Sequence, residues 1–295
     1  MSWIQITAQV PEQQVDALSD ALMAAGALSV TQAEGGDEEI FEPELGTTPL
    51  WRETRVTGLF PAEVEGKQIV QALQKQLPAL AQTPFRVEIL EDKDWVRAWM
   101  DQFQPMCFGT RLWIVPSWHT PPDPDGVNLL LDPGMAFGTG THPTTAMCLR
   151  WLDAHPPHGQ SIIDYGCGSG VLAIAAAKLA ARAVHGTDID PQAIVASEAN
   201  AERNGVRIDF RLVKDFEAAP PPPADLVMAN ILAGPLKQLA PTLAHHLKPG
   251  GQLILSGLLL EQADDLIRHY ATHGIILKCA ADEENWALLT GYKHG

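Results

Sequence analysis

The alternation of apolar and polar residues divides the chain into two rhythms. Over the first 90 residues it reads strand, helix, strand, and then repeats. "WIQITAQVP" alternates with period two, as a half-buried strand does. It runs into "EQQVDALSDALMAAG", where Val15, Leu18, Leu22 and Met23 supply apolar positions at helical spacing and Gly26 supplies a stop. "ALSVTQ" is a further short strand. After an acidic stretch, "TRVTGLFP", "AEVEGKQIVQALQKQL" and "PFRVEIL" give strand, helix and strand again. Two such units in tandem make the split βαβ, or ferredoxin-like, arrangement.

From residue 143 the rhythm changes. The helices "PTTAMCLRWLDA", "GVLAIAAAKLA", "PQAIVASEANAERNG", "GPLKQLAPTLAHHL" and "EQADDLIRHYATHG" are interleaved with the strands "SIIDYG", "AVHGTDI", "RLVKD", "ADLVMANI" and "QLILSGL". Two strands, "IILKCAAD" and "WALLTGYK", close the chain. Helix and apolar strand in alternation imply an α/β domain with a mostly parallel sheet covered by helices. Before it, "EDKDWVRAWMDQF" carries Trp95 and Trp99 four apart on one helical face, a spacing suited to packing between domains. "RLWIVPSW" and "NLLLDPG" read as strands flanking the turn "HTPPDPDG". The expected organisation is a smaller N-terminal domain at 1–90, a bridging helix or linker at 91–104, and an α/β domain at 105–295.

Charge narrows the choice of partner. The formal net charge is −16: residues 1–100 hold 7 basic and 16 acidic side chains, a net of −9, and residues 101–295 hold 13 and 20, a net of −7. A nucleic-acid grip needs positive surface, so neither half suits one, and a basic protein is the partner such a surface attracts. "EGGDEEIFEPELG" has six acids and no base; it is either a solvated loop or a docking surface for a Lys-rich substrate. Cys107, Cys148, Cys167 and Cys279 form no C-x-x-C pair, which argues for reduced thiols and against structural zinc or a disulfide framework. His269 and His273 lie four apart on a predicted helix without a third ligand, so a metal site is not expected. The first basic residue is Arg52 and no apolar run reaches eighteen residues, giving the expectation of a cytosolic monomer without a membrane span.

The chemistry concentrates in "IIDYGCGSGVLAIAAA". An apolar strand delivers Asp164, and Gly166, Gly168 and Gly170 then turn the chain into a helix. The dinucleotide frame G-x-G-x-x-G fails at Val171 and leaves acid-x-G-x-G-x-G. Glycines there let a ligand lie against the backbone, while Asp164 can engage a cationic group. Asp188 ends the next strand 22 residues beyond Gly166, the place for a carboxylate that accepts from two ribose hydroxyls. Asp190, just before Pro191, is assigned instead to a helix N-cap. Asp215 in "LVKDF" either accepts from an adenine amino group, with Phe216 flanking the ring, or is a turn residue.

Asp164-Tyr-Gly-Cys-Gly-Ser-Gly170, Asp188, "ANIL" and "KPGGQLILSGL" together resemble the class I S-adenosylmethionine-dependent methyltransferases. "DPGMAFGTGTHPTT" and "ANILAGPL" narrow the resemblance to the bacterial family that methylates large-subunit ribosomal protein L-eleven, over nearly the whole chain. This resemblance implies a Rossmann-like, seven-stranded, mostly parallel sheet and an N-terminal substrate-recognition domain. It also implies S-adenosyl-L-methionine as cofactor, and transfer of methyl groups to lysine side chains and the N-terminal amine of a basic ribosomal protein. Carried over by motif, the cofactor contacts are Thr145, Gly166, Asp188 and Asn230, with Phe137 and the glycines of "FGTG" close by. Asn230 is the candidate to orient the attacking nitrogen, a role that can coexist with cofactor contact or helix capping. "FGTGTHPTT" lacks a phosphate-gripping Lys, as suits a lid over a zwitterionic methionine tail, and His142 is read as stabilising that loop. Methyl transfer to RNA or to a small molecule, and a non-catalytic ribosome-binding module, are the rival readings.

Overall fold

The computed structural model describes residues 3–36, 51–90, 103–132 and 142–294. The acidic loop beyond residue 36, Trp95, Trp99 and most of the expected bridge, and Phe137 with its neighbouring glycines, lie outside the described residues. The chain separates into two compact units, Met1–Asp101 and Gln102–Gly295.

The first unit runs β1 (Trp3–Pro11), α1 (Glu12–Ala24), β2 (Ser29–Glu34), β3 (Glu53–Pro61), α2 (Gly66–Gln76) and β4 (Phe85–Leu90). Its sheet is antiparallel in the order β2-β3-β1-β4. The period-two pattern of β1 buries Ile4, Ile6, Ala8 and Val10 against Val15, Leu18, Ala21 and Leu22 of α1. Met23 does not join them and is 53% exposed. It follows Leu18 by five residues, about 500° of helical rotation, and so falls off the stripe that Leu18 and Leu22 share. The second helix begins at Gly66, four residues later than its polar-apolar pattern suggests, because residues 62–65 form a turn and an extended lead-in.

The second unit opens with a small sheet, β5 (Met106–Phe108), β6 (Leu112–Val115) and β7 (Val127–Leu130). β6 and β7 pair in parallel, so the Pro- and Asp-rich segment between them is a return crossover and not a hairpin turn. There follow α3 (Pro143–Ala154), β8 (Ser161–Tyr165), α4 (Val171–Lys178), β9 (Ala183–Asp188), α5 (Pro191–Arg203), β10 (Asp209–Leu212), α6 (Val213–Ala218) and β11 (Ala224–Asn230). The chain ends with α7 (Ala233–Gln238), α8 (Ala240–His246), β12 (Leu247–Leu259), α9 (Ala263–Ala271), β13 (Ile275–Glu283) and β14 (Trp286–Lys293). These strands form a seven-stranded sheet in the order β10-β9-β8-β11-β12-β14-β13. β14 is antiparallel to both of its neighbours, and the remaining pairs are parallel.

Alternate residues of each central strand enter opposite cores. Ile162, Met228 and Ile254 pack under α3 and α4, whereas Ile163, Val227, Leu253 and Leu255 pack under α7, α8 and α9. Two expected elements differ. The single helix over 234–247 is broken at Leu239, because Pro241 lacks an N–H and its ring clashes with the carbonyl four residues back. The strand expected over 211–215 stops at Leu212, and Asp215 lies instead in the short helix α6.

At the amino end of the sheet, the Ser161 N–H and hydroxyl both donate to Asp225 Oδ2 at 2.8 Å, and Lys248 Nζ donates to Oδ1 at 2.6 Å. Burial opposes the Asp225 charge, but these bonds outweigh it and hold the carboxyl down at about 2. This set of bonds ties together β8, β11 and β12. Among the described residues, no helix is long and apolar enough to cross a membrane.

Tyr270 of α9 is fully buried and its hydroxyl donates to the Leu236 carbonyl at 2.7 Å. Tyr270→Phe keeps the shape but strands that carbonyl, so urea unfolding of the second unit is expected to show a loss of about 1–3 kcal/mol. An unchanged midpoint would mean that the bond contributes nothing net.

Candidate functional site

The carboxyl ends of β8, β9 and β11 meet where the sheet's strand order reverses, the position at which open parallel sheets hold ligands. β8 runs straight into the glycine turn. Gly166 has φ +80°, and a Cβ there would lie 2.4 Å from Ile231 Cγ2. Gly170 has φ +77° and begins α4 in the left-handed conformation, where a Cβ would meet Ser197 at 2.9 Å and Phe210 at 3.1 Å. Only glycine combines these dihedrals with that closeness. Both packing partners lie on other elements, so the turn is clamped from outside.

Asp188 holds the turn from the next strand. Its Oδ2 accepts the Gly168 N–H at 2.9 Å and its Oδ1 accepts the Asp190 N–H at 3.0 Å. Each oxygen retains acceptor capacity beyond these bonds, and the half-buried side chain leaves it accessible. Asp190 caps α5 by accepting from Gln192 N at 2.8 Å, the structural role expected of it. Asn200, which the sequence reading did not single out, fastens the turn to α5 by donating to the Ser169 carbonyl at 2.9 Å.

Asp164 points to the face that carries α3 and α4. It is 1% exposed, and its Oδ2 accepts the Ala173 N–H at 3.0 Å. Oδ1 has no hydrogen-bond partner among the described residues. Burial pushes its carboxyl up to about 7, against the Ala173 bond and with a smaller contribution from the Asp188 charge. A buried carboxyl with a free oxygen beside the turn suits a cationic group.

Asn230 is the last residue of β11, adjacent to Ile231 and therefore to Gly166. Its Nδ2 donates to Thr145 Oγ1, 3.2 Å away on the first turn of α3. This bond fixes the amide and leaves Oδ1 buried without a hydrogen-bond partner among the described residues. Thr145 is fully buried, so its hydroxyl is committed to the interior beside Asn230. His142 is the N-cap of α3: its Nδ1 accepts from Thr144 N, and its ring stands edge-on to Trp286 at 4.9 Å. Burial lowers its pKa, which favours the neutral ring that capping requires.

Asp215 and Phe216 depart from expectation. Asp215 is exposed on α6, three residues past Leu212, and Leu212 is the register partner of Asp188. Phe216 cannot flank a ligand ring, because it is fully buried among Tyr165 and His246. Cys167 is buried with its thiol pKa raised, first by burial and then by Asp164 and Asp188, and Cys148 is likewise pushed up to about 12. Neither is an activated nucleophile. His269 lies 3.0 Å from the Lys237 carbonyl through a ring nitrogen, and His273 stands beyond the end of α9.

The residues therefore fit a donor such as S-adenosyl-L-methionine: a cradle that a side chain at Gly166 would fill, an acceptor pair at Asp188, and two buried oxygens, on Asp164 and Asn230, that lack partners. Residues 2–294 match the family model described as Ribosomal protein L11 methyltransferase (PrmA). The chain is 57% identical over 290 residues to the ribosomal protein L11 methyltransferase of Hydrogenovibrio crunogenus, covering 98% of each chain. It is 52% identical over 294 residues to that of Shewanella sediminis, covering 99% of this chain and 100% of the relative. A crystal structure of ribosomal protein L11 methylase from Lactobacillus delbrueckii subsp. bulgaricus is 34% identical, with a TM-score of 0.59, covering 65% of this chain and 100% of that one. The chain that carries this glycine turn, the Asp188 clasp and the Asn230 tip therefore belongs to the ribosomal protein L11 methyltransferase family.

Proposed function

We propose that this protein transfers methyl groups from S-adenosyl-L-methionine to lysine and N-terminal amines of ribosomal protein L11. The observation that carries the reading is the partnerless Asn230 oxygen, held by Thr145 next to the glycine turn. The residues that would hold the donor are Gly166 and Gly168 through their backbone, Asp188 at the ribose, Asp164 at a cationic group, and Asp215 at the adenine. The donor supplies an electrophilic methyl on a cationic sulfonium. Phe137 and the loop that bears it are assigned to covering the donor. The N-terminal domain at 1–90 is assigned to the substrate and 91–104 to the bridge, with 105–295 carrying catalysis. The acidic surface favours a basic protein over RNA.

The protein's part in methyl transfer is position and charge. The attacking amine must first lose a proton. A free lysine near pKa 10.4 lies about three units above neutral pH, a deficit of roughly 4 kcal/mol, whereas an α-amine near 7.7 lies about one unit above it. The Asn230 oxygen accepts an N–H of the neutral amine and so aims the lone pair. A carboxylate at the same place would favour the ammonium, which cannot attack; an amide does not.

Asn230→Ala is expected to lower kcat on the order of 10²-fold while S-adenosylmethionine affinity falls much less. Equal losses in both would make Asn230 a cofactor contact only. Incubating the protein with labelled donor and either ribosomal proteins or naked ribosomal RNA tests the substrate, and label in RNA would overturn the assignment.

Asp164 gives the site a pH signature. Its folded pKa of about 7 stands above the unfolded value near 3.9. Its contribution to stability is therefore fully present below about pH 4 and is lost as pH rises through 7. A cation beside Asp164 favours the ionised carboxylate, so donor binding should release a proton near pH 6.5 and tighten as pH rises through 7. Calorimetry in buffers of different ionisation enthalpy reads that proton. Asp164→Asn should abolish it, and wild-type binding without proton release at pH 6.5 would contradict the assignment.

A further inference from the structure

On the face of the sheet opposite Asp164 lies a polar group, buried at Tyr165 and His246 and exposed at Glu217, that donor binding as described does not use. Tyr165 follows Asp164 on β8 and so projects to the opposite face of the sheet, where it is 4% exposed. Its hydroxyl donates to Glu217 Oε1 at 3.2 Å. The same oxygen lies 2.9 Å from Nε2 of His246, the last residue of α8, which is 1% exposed. Phe216 completes the setting, edge-on to Tyr165 with centroids 6.3 Å apart and edge-on to His246 at 5.3 Å.

The group bears on α6. At six residues, Val213–Ala218 is too short to be held by its own helical bonds. Its place is set by the burial of Phe216 and by the bonds that Glu217, 37% exposed, sends inward through one carboxylate oxygen. Glu217 and Asp215 are two residues apart, about 200° around the helix. The bonds of Glu217 Oε1 to Tyr165 and His246 therefore fix the rotation of the helix, and with it the opposite side on which Asp215 is exposed. It stands just past Leu212, the residue in register with Asp188, at the same edge of the sheet.

We propose that Tyr165 and His246, acting through Glu217, are positioning residues that set where Asp215 stands and thereby select a donor whose base carries an amino group. This rests on the assignment of Asp215 to the adenine. A carboxylate placed there accepts from an exocyclic amine and is repelled by a carbonyl oxygen at the same position of the ring. The hydroxyl of Tyr165 is what a phenylalanine would lack, so a single oxygen atom carries part of the selection.

The test measures the dissociation constants of S-adenosylhomocysteine and S-inosylhomocysteine by calorimetry, the second ligand carrying a carbonyl in place of the amine. Wild-type protein is expected to prefer the adenosyl ligand, and Asp215→Ala to erase the preference. Tyr165→Phe should narrow it by about fivefold, the worth of one hydrogen bond. Glu217→Ala should narrow it further, and Glu217→Gln, which keeps an acceptor oxygen, should restore most of it. A loss of packing alone would weaken both ligands together and leave their ratio unchanged. If Asp215→Ala erases the preference and Tyr165→Phe leaves it intact, the positioning role is overturned. If Asp215→Ala itself leaves the preference intact, the adenine assignment fails and the inference falls with it.

Discussion

The peptide N–H of Gly168, held by the Asp188 carboxylate, is the contact on which the site depends. Two crossover loops that are independent in sequence meet in that bond, and it fixes the height of the glycine turn relative to the end of the neighbouring strand. With the turn fixed, Gly166 meets Ile231, and Asn230 stands at the same edge. Three strands are thereby brought to one level, which a bound donor requires of them together.

The site divides its polar groups by their degree of burial. Asp188 is half-exposed and has its backbone partners, so it serves as a fixed acceptor. Asp164 is buried and has one oxygen without a partner, so it responds to the charge placed beside it. Asn230 is neutral and held by a neutral hydroxyl, which suits the proposed role of meeting an uncharged amine. On the proposed reading, one acid, one titrating acid and one amide are assigned to the ribose, the cation and the nucleophile.

Much of this arrangement was legible from residue types. The strand, glycine turn and helix around Asp164 follow from an apolar run, three glycines and an alanine-rich segment, and each fell where the pattern put it. Asp188 and Asp190 separated into ligand candidate and cap because Pro191 marks the helix start. The failures have physical causes. Met23 was misplaced because helical spacing was read from sequence distance without its angle. Asp215 was put at the end of a strand because the β-branched Val213 carries the apolar pattern one residue past Leu212, although the chain there turns into α6. Phe216 was offered to the ligand, but an aromatic beside a sheet gains more by burial than by exposure. Ile231, Asn200 and the Glu217 group carry no local signal, since each acts on a partner 30 or more residues away.

The strand order has a consequence for the order in which the protein can become itself during synthesis. β8, which bears the turn, gains its second neighbour only when β11 has been made, and β14, the last strand of the chain, is inserted between β12 and β13. The glycine turn is written by residue 170, yet Ile231, against which it closes, comes sixty residues later. A chain emerging at its N-terminus can complete the antiparallel first unit early, because its strands are close in sequence. The second unit must wait for its final hairpin, so the first unit can stand folded before the glycine turn of the second has the strands it closes against.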